Sequence, residues 1–273
     1  MAPTIAIIGA LEKEVRHVYD AVEKGTVAET AGLNIVRGEY HGFNLVATVA
    51  GMGTVNAAAA AQHLISAYGA NTIIFSGIAG GLNPALHIGD VVIGKRLRYL
   101  DTDTALIAES TPGLEEFTST ESLVDLAEET LTTHGFVNAD LSDTKAAPGA
   151  GACEHASASS CCPGNPGSEL RQFLRGIIAT GDRFVTGADI KAAVIEATQA
   201  DCVEMEGAAI AHIAAKNNVN CLVLRAISDN CDESYDALSS REFDLDEYAR
   251  TASELVLSIV RRLAAKLGIE PHC

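Results

Sequence analysis

From Tyr40 to Gly89 the chain carries no formal charge. So long a stretch without Asp, Glu, Lys or Arg belongs either in a membrane or in the centre of a large core, since such residues normally populate the water-facing surface. A membrane-spanning helix needs roughly 20 consecutive, mostly apolar residues. Here Asn44, Asn56, Gln62, His63 and Asn71, together with several glycines, interrupt the run too early. The stretch is therefore expected to form the buried middle of a soluble sheet. A chain of 273 residues is long enough to build a core around it.

Apolar periodicity and turn residues suggest the remaining elements. Thr4 to Ile8 predicts a strand ended at Gly9-Ala10, and Leu11 to Glu23 a helix with Val15, Val18, Tyr19 and Val22 at helical spacing. Leu33 to Tyr40 and Phe43 to Ala50 predict two strands joined at His41-Gly42 as a hairpin. An alanine-rich helix is expected from Asn56 to Tyr68, ended by Gly69. Thr72 to Phe75, Val91 to Leu97, Leu174 to Thr180 and Cys221 to Asp229 predict further strands. Helices are expected at Glu121 to Thr133, at Asp189 to Thr198, after Glu206, and from Leu245 to Leu267. Strands alternating with helices argue an α/β fold, a three-layer α/β/α sandwich with a central mixed sheet. From Asn138 to Ser168 the composition turns to Gly, Ala, Ser, Pro and Cys without apolar periodicity. That predicts a flexible insertion within a single domain spanning 1–273.

The net charge of −17 argues against nucleic acid and anionic membrane surfaces as partners, because both are bound through Lys and Arg. Met1-Ala-Pro-Thr4 leads directly into an apolar run, with no secretory pattern, so a cytoplasmic location is expected. The seven cysteines are then thiols. Cys153, His155, Cys161 and Cys162 are metal ligands by type, but their spacing matches no zinc pattern, and no metal site is expected.

Glu204, Glu206 and Asp229 stand in otherwise apolar sequence, where a carboxylate is costly unless paired, hydrogen-bonded or protonated. Glu206 would open a helix, where the dipole favours an anion. Asp229 would end a buried strand, at the edge where open α/β sheets bind ligands. Capping and ion pairing explain each of these residues equally well when taken singly. Ser76-Gly-Ile-Ala-Gly-Gly81 is expected to be a loop after the preceding strand, whose backbone at Ile78, Ala79 and Gly80 can approach a ligand closely. It has neither the dinucleotide nor the triphosphate glycine spacing. Phe184, after Gly181-Asp182, either fills the core or stacks on a heterocycle.

Together these segments resemble one family. Ile7-Ile-Gly-Ala-Leu-Glu-Lys-Glu-Val15, Ser76 to Leu82, Gly89-Asp-Val-Val92, Ala179 to Phe184, Val203-Glu-Met-Glu-Gly-Ala-Ala209 and Arg225-Ala-Ile-Ser-Asp229 are similar, in order, to the nucleoside phosphorylase/nucleosidase superfamily. The likeness is greatest to its 5′-methylthioadenosine/S-adenosylhomocysteine nucleosidases. The resemblance implies a cofactor-free hydrolase that acts on a small nucleoside and forms a homodimer. It makes Glu14 the carboxylate that activates water and Asp229 the acid that protonates purine N7, oriented by Ser228. Glu206 would hold the ribose hydroxyls, Met205 would pack beneath the sugar, and Glu204 would support the site. Phe184 would stack on adenine while the Val185 backbone reads its edge, Leu11 would line the 5′ side, and Met52 would be a further substrate-binding residue.

Phosphorylases of this superfamily bind phosphate with a Gly-Asp-Pro-x-Arg segment, where this chain reads Gly9-Ala-Leu-Glu-Lys-Glu14. Phe75 and Ile78 stand where those enzymes place Arg and Ser, so water is the expected nucleophile. Departures from the nucleosidases concern the 5′ pocket: Leu11 replaces a frequent methionine, Thr104 to Phe117 aligns poorly, and Ser239-Ser240 lacks a phenylalanine for which Tyr235 can substitute. Other readings are a futalosine-type purine nucleosidase, a purine nucleoside phosphorylase, and a non-catalytic nucleoside-binding protein on the same fold.

Overall fold

In a computed structural model of the chain, residues 2–103, 113–139, 171–232, 234, 236 and 242–269 are described. The cysteine and histidine residues of 138–168, residues 104–112, Tyr235, Ser239-Ser240 and the terminal His272-Cys273 lie outside them. Of the expected insertion only Asn138 and Ala139 are described.

The strands are β1 (Thr4–Gly9), β2 (Glu23–Thr30), β3 (Leu33–Tyr40), β4 (Phe43–Val49), β5 (Thr72–Gly81), β6 (Val91–Tyr99), β7 (Phe117–Thr118), β8 (Val137–Asn138), β9 (Gln172–Thr180), β10 (Cys202–Glu204) and β11 (Asn220–Asp229). The helices are α1 (Glu12–Ala21), α2 (Thr54–Tyr68), α3 (Glu121–Thr133), α4 (Ala188–Thr198), α5 (Gly207–Asn217) and α6 (Glu242–Leu267). Among the described residues one mixed sheet of 11 strands has nine in the order β10-β9-β6-β11-β5-β1-β4-β3-β2, with β7 paired to β6 and β8 to β9 off this path. β1, β4, β5 and β11 are mutually parallel, while β6 is antiparallel to β11.

Both faces of this sheet are covered, which is why its central strands are apolar throughout instead of alternating. On β1, Ile5 and Ile7 pack with α3 and α6 residues such as Leu126, Val256 and Ile259. Ala6 and Ile8 point the other way, to Ala57, Ala61, Ala208 and Ala211 of α2 and α5. These small residues allow the two helices to approach closely, and Gln62 and Asn217 bridge them through paired amide hydrogen bonds of 2.9 and 3.3 Å. The expected three layers are thus present. The uncharged stretch Tyr40–Gly89 supplies β4, α2 and β5, at the centre.

Three expectations need correction. The first helix ends at Ala21, and Glu23 begins β2, a largely exposed edge strand with no continuous apolar pattern to announce it. The glycine segment Ser76–Gly81 is not a loop, because β5 continues through Gly81 between β11 and β10. Its glycines mark close approach: a Cβ on Gly80 would lie 2.5 Å from Cys231 Sγ. Finally, the sheet does not stay open. β10 pairs with both β9 and β5, closing β5, β11, β6, β9 and β10 into a ring beside the flat part of the sheet.

The hairpin at His41-Gly42 is as expected. Both residues have positive φ, 47° and 79°, the pairing geometry of a tight two-residue turn between β3 and β4.

Candidate active site

Glu14 stands in the first turn of α1, just beyond the carboxyl end of β1. Its carboxylate folds back on the strand-to-helix turn, where Oε2 accepts the Ala10 and Leu11 N–H groups at 2.7 and 2.9 Å. Oε1 reaches across to the Ile78 N–H of β5 at 3.3 Å. Behind it, the Ser253 hydroxyl of α6 donates to the Glu14 carbonyl at 2.9 Å. Burial pushes the Glu14 carboxyl above its usual range, against the opposing pull of Arg225 and the three backbone donors.

Glu204 and Glu206 divide two jobs at the start of α5. Glu204, ending β10, caps the helix by accepting the Glu206 N–H at 3.1 Å and the Gly207 N–H at 2.7 Å through Oε2. It also accepts the Thr180 hydroxyl and the Arg225 guanidinium. With the cap supplied from two residues earlier, the Glu206 side chain is free to turn into the pocket. There its Oε1 accepts Gly53 N–H at 2.8 Å. Burial first, and the Glu204 charge next, raise the Glu206 carboxyl to about 7, with Arg225 and Gly53 N–H opposing the shift.

Arg225 is the counter-charge. It is only 1% exposed, its Nη1 donates to the Leu224 carbonyl at 2.9 Å, and its guanidinium lies 4.1 Å over the Phe75 ring. Burial works against its charge, but Glu204, Glu206 and Glu14 outweigh that and push its pKa up.

Asp229 ends β11 at a bulge. Ile227 pairs with Ala79 and Asp229 with Gly80, so Ser228 is the extra residue. Bulges re-aim side chains beside active sites. Asp229 Oδ1 accepts Cys231 N–H at 2.8 Å, with Cys231 held at φ 59°. Oδ2 lies 2.9 Å from the Ser228 hydroxyl, which is also 3.3 Å from the Ala79 carbonyl. One hydroxyl proton serves one acceptor at a time. Ser228 therefore donates to Asp229 when that carboxyl is ionised, and to Ala79 when Asp229 carries its own proton.

These groups face one pocket that opens to solvent. Glu14, Asp229, Glu206, Met205, Glu204, Phe184, Val185, Ser228, Ile78, Ala79, Gly80, Leu11 and Met52, all expected from the sequence, line it together. Phe184 and Met205 are half-buried, and Met52 is exposed at its edge.

Residues 4–262 match the family model described as the phosphorylase superfamily. The chain belongs to that superfamily. It is 30% identical over 268 residues to the aminodeoxyfutalosine nucleosidase of Campylobacter jejuni, covering 96% of this chain and 99% of the relative. It is 32% identical over 263 residues to the 5′-methylthioadenosine/S-adenosylhomocysteine nucleosidase of Treponema pallidum, covering 96% and 94%. Among solved structures, the 5′-methylthioadenosine/S-adenosylhomocysteine nucleosidase of Neisseria meningitidis, in complex with methylthio-immucillin-A, superposes with a TM-score of 0.76. The two are 27% identical, with 95% of this chain and 99% of the other covered.

For this member of the superfamily, sequence reasoning understated two residues. Arg225 was legible as the one charge inside the apolar strand Cys221–Ile227, a placement that demands a buried partner. Asp182 carried only turn chemistry in the sequence, and its partners on α2 are remote. Among the described residues no helix is long and apolar enough to cross a membrane.

Proposed function

We propose that this enzyme, a nucleosidase like its relatives, hydrolyses the N-glycosidic bond of 5′-methylthioadenosine and S-adenosylhomocysteine, releasing adenine. The observation that carries the reading is the placement of two carboxylates along one strand. Glu14 and Asp229 line the same pocket, Glu14 holding the Ile78 N–H of β5 and Asp229 pairing with Gly80 of that strand. On this reading the ribosyl–purine linkage and an attacking water lie between them, with the base on one side and the acid on the other.

Glu14 takes a proton from water as its oxygen attacks C1′. The electron pair of the C1′–N9 bond leaves with adenine, whose N7 receives the proton from Asp229. Cys231 N–H occupies Oδ1, so the transferable proton belongs on Oδ2, and Ser228 follows either state of the acid. Glu206 accepts the ribose hydroxyls, and its charge supports the oxocarbenium-like sugar. Phe184 stacks on adenine, the Val185 backbone reads its edge, and Met205 packs beneath the ribose. Leu11 and Met52 flank the 5′ substituent. Water is favoured over phosphate because Glu14, Glu204 and Glu206 crowd the nucleophile's side, while Arg225 already serves Glu204 and the Leu224 carbonyl. The reading includes a homodimer: Met52, at the pocket's edge, and Val55, in the first turn of α2, are 47% and 77% exposed, apolar surface a second copy would cover.

The match to the Campylobacter relative favours a second reading, in which an aminodeoxyfutalosine-type nucleoside is the main substrate. Adenine release from methylthioadenosine, S-adenosylhomocysteine and aminodeoxyfutalosine, each with and without phosphate, decides between them. Phosphate-independent release, fastest with the two thio-nucleosides, is expected. A requirement for phosphate, or a strong preference for aminodeoxyfutalosine, would overturn the leading assignment.

A further inference from the structure

In the pocket, Glu206 Oε1 accepts one backbone donor, Gly53 N–H, at 2.8 Å. That group belongs to the turn entering α2, whose own N-cap, Gly53, has no side chain to close the helix end. The cap arrives instead from a remote segment. Asp182, in the turn between β9 and Phe184, accepts Thr54 N–H through Oδ1 at 2.6 Å and the Thr54 hydroxyl through Oδ2 at 2.5 Å. Its own N–H is anchored on Asp101 Oδ2 at 2.8 Å. The fit is close: Gly53 has φ 97°, and a Cβ there would come within 3.0 Å of Asp182 Oδ1. Asp182 itself does not line the pocket and lies at an exposed position, so neither substrate contact nor core filling explains its placement.

We propose that Asp182 is a positioning residue: by clamping Thr54 it fixes the Gly51–Thr54 turn, so that Gly53 N–H meets Glu206 and Met52 walls the pocket. The proposal rests on the reading of Glu206 as the ribose ligand. It ties the loop that carries Phe184 to the turn that aims Glu206, so both sides of the pocket move together. A carboxylate suits the task, since it accepts two donors at a helix N-terminus whose dipole favours negative charge. The groups facing Glu206 are Glu204 and Glu14, which disfavour its ionised form, and Arg225 and Gly53 N–H, which favour it. A slack turn removes one of the two favourable partners.

The test compares Asp182→Ala, Asp182→Asn and Thr54→Val with the unaltered enzyme in kcat, KM, pH profile and thermal midpoint. Asp182→Ala is expected to lower kcat by about 10- to 100-fold, the range for lost support or a misplacement near 1 Å. It should also move the acid limb of the profile to higher pH. Asp182→Asn keeps an oxygen for Thr54 N–H and should restore most of kcat. Thr54→Val removes only the hydroxyl bond and gives a smaller effect of the same kind, which serves should Asp182→Ala not fold. A lower thermal midpoint with kcat and acid limb unchanged would show a helix cap and nothing more. Should the unaltered enzyme release no adenine, the ribose reading fails. The clamp is then judged by carbon-13 titration of the Glu206 carboxyl, assigned with Glu206→Gln. Its midpoint near 7 rises in Asp182→Ala if the clamp is real and stays put if it is not.

Discussion

Gly77→Ala probes the base without replacing a catalytic side chain. A Cβ at Gly77 would lie 2.7 Å from Glu14 Oε1, 3.1 Å from its Cδ and 3.3 Å from Arg225 Nη1. Ordinary contact begins near 3.4 Å, so Oε1 has to retreat by about 0.7 Å. Glu14 cannot do so freely, because Oε2 is held by two short bonds from Ala10 and Leu11. The weakest tie, the 3.3 Å bond from Ile78 N–H, gives way. Leaving that donor unpaired costs about 1–3 kcal/mol, partly offset by about 0.5–1 kcal/mol from replacing glycine within a strand. A net destabilisation of about 0–2.5 kcal/mol follows, with a fall in kcat of about 100-fold for a base displaced on this scale. Denaturant titration and initial rates of adenine release measure both. In the double variant Glu14→Ala/Gly77→Ala the clash has no partner, so the stability effects should not add. Near-normal kcat in Gly77→Ala, or strict additivity in the double variant, would falsify the placement of the base.

Asp229→Asn should lower turnover by about 10²–10⁴-fold while calorimetric binding of a non-hydrolysable adenosine analogue stays within a few-fold; near-normal turnover removes Asp229 as the acid. Arg225→Met leaves Glu204, Glu206 and Glu14 without their cation and should destabilise the fold by about 3–5 kcal/mol at pH 7.5. The loss should shrink at pH 5, where Glu206, raised to about 7, is protonated, and an equal loss at both pH values refutes the charge argument. Glu206 has its folded pKa raised from 4.5 to about 7, so folding favours its protonated form. Relative to Glu206→Gln, the native enzyme should keep full stability below about pH 4.5 and lose about 3 kcal/mol as the pH rises through 7. A difference between the two proteins that does not change between pH 5 and 8 contradicts the assignment.

Glu204, Glu206 and Asp229 were legible because each breaks an apolar segment, whereas Glu14, within Glu12-Lys-Glu14, was marked only by the family resemblance. A charge in such a place has to be paired, capped or used, and the structure shows the division. Glu204 has the bland duties of cap and ion pair, while Glu206 and Glu14 turn into the pocket. Local chemistry also located the hairpin at His41-Gly42, the helix ended by Gly69 in the left-handed conformation, and α3 to the residue. It misjudged Ser76–Gly81, since the same glycines suit a turn and a strand squeezed between neighbours. Only the nearness of Glu14, Asp229 and Cys231 shows which applies.

Sequence alone thus determined which segments are buried, on how many faces, and which carboxylates are too costly to be accidental, because burial leaves its period and composition on each segment separately. The tertiary structure decided what those residues meet. The return of β10 to β5, the placing of Arg225 among three glutamates, and the grip of Asp182 on Thr54 join positions far apart in the chain. Such contacts leave no local trace: neither partner's neighbours in sequence differ for having found it. The pocket exists only where β1, β5, β10 and β11 bring their ends together.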